Sequence, residues 1–166
     1  MRARLALAEA LLQQGRRPEA LDHYRELLRL NPNDNQGVRY LLLPALLADG
    51  LHEEAGRLLA AYDGDIQATW PYAQALLLFR AEGNGAPARA ALTNALRVNP
   101  HVATYLLDPE RLPVHSPPHF ALGSAEEGAV VAEGLLEAFE GTPGAPAWLQ
   151  AHNARTRRAG PRRRRH

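Results

Sequence analysis

His115-Ser116-Pro117-Pro118-His119 has the spacing of a pair of metal ligands, since two imidazoles four residues apart share a face on a helix. Pro117 and Pro118 forbid that helix, and no carboxylate lies among these residues, so no metal site is expected. Ser116 and Ser124 are the only serines, and neither lies in the G-x-S-x-G turn that exposes a nucleophile. Gly83-Asn84-Gly85 lacks the rest of a phosphate-loop pattern and falls between two helical patterns instead of after a strand. Glu53-Glu54 and Glu126-Glu127 read as acids at helix starts, where they answer the helix dipole. No catalytic constellation remains, so the chain is expected to be no enzyme and to carry no cofactor.

Charge is the other chemical resource. Every basic residue is an arginine, and seven of the 19 fall in RTRRAGPRRRRH, from Arg155 onward, with no acid among them. Upstream, twelve arginines face eighteen acids, giving a mildly acidic body and a basic end. Such an end can grip phosphates by counterion release, but it lacks the interleaved aromatics that stack on single-stranded bases. The expectation for 155–166 is a disordered arginine-rich tail. Cysteine is absent, which excludes disulfides and thiolate chemistry. Glu9 interrupts the apolar start, and the uncharged run Tyr40 to Ala48 is too short to span a bilayer, so a soluble, cytoplasmic protein is expected.

The elements that would position these residues follow a beat of thirty-four. Asn31-Pro32 recurs as Asn99-Pro100, and Gly15, Ala20, Tyr24 and Leu28 recur as Gly83, Ala88, Leu92 and Leu96. Gly50 and Ala55 form a middle copy displaced by one residue, which places an insertion in or before Ala48-Asp49-Gly50-Leu51. Each copy reads as two helices about a glycine turn. Leu5, Leu7, Ala8, Leu11 and Leu12 make one apolar stripe, and Ala20, Leu21, Tyr24, Leu27 and Leu28 the next. Gly15 supplies the left-handed stop and Pro18 a helix start. The third copy offers Tyr72, Ala75, Leu76 and Phe79, then Gly83, Pro87, Ala88, Ala91, Leu92 and Ala95. Tyr62-Asp63-Gly64-Asp65 lacks the closing proline and predicts an irregular junction.

These units resemble tetratricopeptide repeats, the pattern being met by Leu7, Ala8, Ala20, Tyr24 and Pro32. The resemblance implies an all-α fold: a right-handed α-solenoid of about three hairpins over 1–107, followed by C-terminal capping helices. NPNDNQGVRYLLL, NPHVATYLL and GSAEEGAVVA are further similar to the repeat-containing part of suppressor-of-tumorigenicity-7-like proteins, over 31–150. Within the first of these stretches, Asn33 or Asp34 is expected to cap the next helix with Gln36 completing a capping box, and Pro44 to kink that helix. Residues 108–154 read as a proline-rich connection, a helix opened by the box Ser124-Ala125-Glu126-Glu127, and a short helix capped by Thr142-Pro143 that carries Trp148 and Leu149.

By the same resemblance, the first helix of each hairpin lines a concave groove that holds a peptide or helix of a partner protein. That nominates Asn35, Gln36, Arg39, Tyr40, Leu43 and Gln74, along with Arg2, Glu9 and Trp70. Asn35 and Arg39, four apart, would face one ligand, the amide on a backbone and the guanidinium forked onto a carboxylate. Members that bind chaperone tails clamp a carboxylate with lysines and asparagines. Here the corresponding places hold Leu5, Glu9, Arg39, Leu43, Ala73 and Leu77, so such a clamp is not expected. The expectation is a non-enzymatic interaction scaffold. The alternatives are a nucleic-acid-associated accessory protein led by the arginine tail, or a regulatory domain detached from a longer protein, because Met1 falls at the first position of a repeat.

Overall fold

The computed structural model describes residues 1–159, and among these every regular element is helical. The chain divides into two compact units, Met1–Ala61 and a second from Tyr62 onward. The division falls at the stretch Tyr62-Asp63-Gly64-Asp65, where the closing proline is missing.

The first unit holds α1 (Arg2–Gln13), α2 (Arg17–Leu30), α3 (Arg39–Ala48) and α4 (His52–Ala61), each packed on the next. Gly15 and Gly50 close their first helices at φ +75° and +72°. The hydrogen bonds around them match. The N–H groups of Arg16 and Leu51 reach the carbonyls of Leu11 and Leu46, while those of Gly15 and Gly50 reach Leu12 and Leu47. This double closure satisfies helix-end carbonyls and needs a left-handed residue, which glycine supplies without strain. The equivalence extends back to Ala8 and Leu43, both fully buried, so the inserted residue precedes α3 and belongs to the 31–38 loop. On α2, Ala20, Leu21, Tyr24 and Leu27 are buried as the periodicity requires. Leu7 is not part of the α1 stripe: it is 48% exposed. Arg25 forks onto Glu54 of α4 (2.7 and 2.9 Å), and Arg17 pairs with Asp49 at 2.7 Å. Glu54 therefore does more than answer a dipole, and the Arg25 bond holds its carboxyl below the usual range.

The second unit holds α5 (Thr69–Glu82), α6 (Ala86–Val98), α7 (Pro100–Leu107), a 3-10 turn Pro109–Arg111, α8 (Ala125–Glu140) and α9 (Ala145–Ala159). Gly83, φ +67°, turns α5 into α6, and Pro87 enters the first turn of α6. Asn99-Pro100 behaves differently from Asn31-Pro32. Here Asn99 caps a helix at once, its side chain accepting from His101 N–H at 2.9 Å, whereas eight residues separate α2 from α3. Thus α7 pairs with α8 as a further hairpin whose turn is the proline-rich segment. The crossing is close: a Cβ on Gly128 would lie 2.6 Å from His101 Cβ.

Three expectations are corrected in this unit. Ser124 does cap α8 by accepting from Glu127 N–H, but Glu127 returns no bond to Ser124. Fully buried, its carboxylate takes the N–H of Ala68 (2.9 Å), the N–H of Gly123 (2.6 Å) and the amide of Asn99 (2.9 Å). The Thr142 side chain, by contrast, caps no helix: it donates to the Ala138 carbonyl and accepts from Arg80 Nε at 2.9 Å. Finally, α9 is 15 residues long and carries Arg155, Arg157 and Arg158 within it, because arginine is a strong helix former. The tail thus starts in a helix, and residues 160–166 lie outside the described part.

Candidate partner-binding face

In the first unit, the candidate residues gather around the loop that enters α3. Consecutive turns carry the chain: Asp34 N–H reaches Asn31 O, Gly37 N–H reaches Asp34 O, and Tyr40 N–H reaches Gly37 O, at 2.9 to 3.1 Å. Asp34 adopts a left-handed φ of 49°, which aspartate tolerates better than most residues. Its side chain is buried. One carboxylate oxygen accepts from Val38 N–H at 2.7 Å, and the other from Arg39 N–H at 2.9 Å and the Arg39 guanidinium at 3.0 Å. The N-cap position is Val38, and Asp34 holds the helix start from within the loop; no capping box forms from Asn33 and Gln36, because α3 starts at Arg39, three residues beyond Gln36. Asn35 is therefore not helical, and the argument that it shares a helix face with Arg39 fails.

Arg39 is also committed. Besides Asp34, its guanidinium lies 4.4 Å from the Tyr40 ring centroid and donates to the Tyr40 hydroxyl at 2.7 Å. With 18% of its side chain exposed and its charge matched by Asp34, it is not a free fork for a ligand carboxylate. Tyr40 packs over Gly37, where a Cβ would stand 3.3 Å from the ring. Leu43 is fully buried and cannot meet a partner. What the face offers to solvent is Asn35, part of Gln36 and part of Tyr40. Pro44 is buried inside α3, which runs on through it to Ala48.

Gln74 belongs to the second unit and is exposed on α5. Trp70, 5% exposed, meets Tyr62 edge to face with centroids 6.2 Å apart, so it is core. His115 and His119 are exposed in the connection after α7. Among the described residues, no group of three or more His, Asp or Glu side chains could hold a metal ion. Ser116 donates to Glu133. No helix among the described residues is long and apolar enough to cross a membrane.

The structure also brings forward roles that sequence reasoning missed. Asp34, expected only as one of two alternative caps, holds the whole α3 entrance, and its signal, an acid within a polar turn, is common to many loops. Arg80 carries none: its half-buried guanidinium, whose pKa burial lowers, spans from α5 to the end of α8.

Compared with known families, residues 2–34 match the tetratricopeptide repeat, the stretch comprising α1, α2 and the loop as far as Asp34. No curated protein and no solved structure matches the chain. The chain thus carries a tetratricopeptide repeat within an all-α helical-repeat fold. Such repeats generally mediate protein–protein interaction and are typically non-enzymatic.

Proposed function

We propose that the chain is a protein-interaction module whose α3 entrance binds a peptide segment of a partner protein. The reading rests on one observation above all: buried Asp34 ties Val38, Arg39 and, through Arg39, Tyr40 into a fixed arrangement beside the exposed amide of Asn35. A pre-ordered polar face loses little entropy on binding. Asn35 and Gln36 each offer an amide donor and acceptor for a partner's backbone, and the exposed part of Tyr40 offers an aromatic contact for an apolar side chain. Because Arg39 is neutralised by Asp34, the favoured partner is an uncharged segment and not a carboxylate terminus. Gln74, exposed on α5, is a candidate contact in its own unit.

The test is selection from a displayed random-peptide library, followed by affinity measurement with substituted chains. Tyr40→Ala with Gln36→Ala should weaken the selected peptide at least about tenfold, the loss expected when a central aromatic contact goes. The helical circular dichroism should stay unchanged. Unaltered affinity in that folded variant rules this face out.

A second reading has its own observation. Arg155, Arg157 and Arg158 are exposed on α9, with no acid in the last turn, and could meet nucleic-acid phosphates. Changing the three to glutamine should then abolish a salt-dependent oligonucleotide shift. Binding that persists in that variant defeats this reading.

A further inference from the structure

In the second unit a cavity of about 340 Å³ lies between the α5–α6 turn and α9. It is lined by Phe79, Asn84, Gly144, Trp148, His152 and Arg155, among others. The size is at the low end for ligand pockets and admits one or two fused rings. Phe79 and Trp148 form its aromatic side, stacked with centroids 4.4 Å apart and planes 20° from parallel. Gly144, at φ +82°, is close enough that a Cβ would touch the Phe79 ring at 3.6 Å. The polar side is held as firmly. Trp148 Nε1 donates to Asn84 Oδ1 at 3.1 Å, and His152 Nε2 meets Thr93 Oγ1 at 2.8 Å. Arg155 is an exposed cation at the border, and no carboxylate lines the cavity.

We propose that this cavity binds a small aromatic carboxylate, with its ring against the Phe79–Trp148 stack and its carboxylate at Arg155. Each half of the ligand answers one half of the wall. Aromatic rings associate with aromatic rings in offset or edge geometry, and a guanidinium pairs with a carboxylate through charge-assisted hydrogen bonds. A bare anion would leave the aromatic wall uncovered, and a hydrocarbon would leave Arg155 unmatched. Burial first, then the nearby Arg155 and Arg89, lower the pKa of His152, which disfavours a second cation beside Arg155. None of these residues belongs to the α3 entrance, so the site stands or falls apart from peptide binding there.

The full chain, titrated calorimetrically with naphthoate near neutral pH, should show saturable one-site binding. Arg155→Ala should weaken it about tenfold, as expected for the loss of a charge-assisted hydrogen bond, and Arg155→Lys should recover part of that. Ala151→Leu, at an exposed helical position beside the cavity, should block binding without altering helicity. Naphthylmethanol, which keeps the rings and drops the charge, should bind more weakly than naphthoate. Absence of saturable binding at millimolar naphthoate, equal affinity for naphthylmethanol, or an unchanged Arg155→Ala variant would each overturn the proposal. An acetylated peptide ending in phenylalanine presents the same ring and carboxylate on a chain. Binding it more tightly than naphthoate would overturn the assignment to a free ligand.

Discussion

Two buried tyrosines show how little residue type decides without its neighbours. Tyr24 is fully buried, and its hydroxyl has no hydrogen-bond partner among the described residues. Burial, with a smaller push from Glu9, raises its phenol to about 12. Tyr72 is as deeply buried, but its hydroxyl donates to the Asn99 carbonyl at 2.8 Å. Opposite outcomes follow from the same substitution. Tyr24→Phe should stabilise the chain by about 1 kcal/mol, since it removes an unsatisfied polar group, and Tyr72→Phe should cost about 1 kcal/mol. Urea denaturation of both variants reads the sign directly. His152 gives a pH counterpart. Its pKa lies below the ordinary 6.5, so its contribution to stability is complete above that value and is lost as pH falls through the lowered one. His152→Gln should make the stability profile shallower below about pH 6.5.

At the scale of elements, the repeat was largely legible and its entrances were not. Glycine turns, the small alanines after them and the buried faces of α2 and α6 follow from periodicity and from conformations only certain residues adopt. The start of α3 eluded the pattern because a capping box is a local template, whereas Asp34 reaches four and five residues ahead across two turns. Asp34→Ala should therefore cost about 2 kcal/mol, in line with the loss of a helix cap, and Asp34→Asn less, as measured by chemical denaturation. The pairing of α7 with α8 was hidden by the long proline-rich segment between them, although Gly128 in the first turn of α8 marks the place where two backbones meet. Gly128→Ala, normally favourable in a helix, should here lower stability by about 1 to 3 kcal/mol through overpacking against His101.

For the molecule as a whole, sequence reading identified an all-α repeat protein and ran its repeats unbroken over 1–107, whereas the structure forms two compact units divided between Ala61 and Tyr62. The reason lies in tertiary bonds that leave no periodic trace. Glu127 looks like half of a local capping box, yet it joins the entrance of α5, the cap of α7 and the turn before α8. Glu127→Ala should cost about 3 kcal/mol, because buried donors lose their acceptor, and hydrogen exchange should quicken at Ala68, Asn99 and Gly123. At the proposed face, the sequence named Asn35, Gln36 and Tyr40 as candidates, but nothing local shows that Asp34 has already claimed Arg39. That face is the central claim. Hydrogen exchange of the full chain with and without a peptide selected for binding should show protection concentrated at residues 33–41. Protection confined to other residues, with 33–41 exchanging as in the free chain, would contradict it.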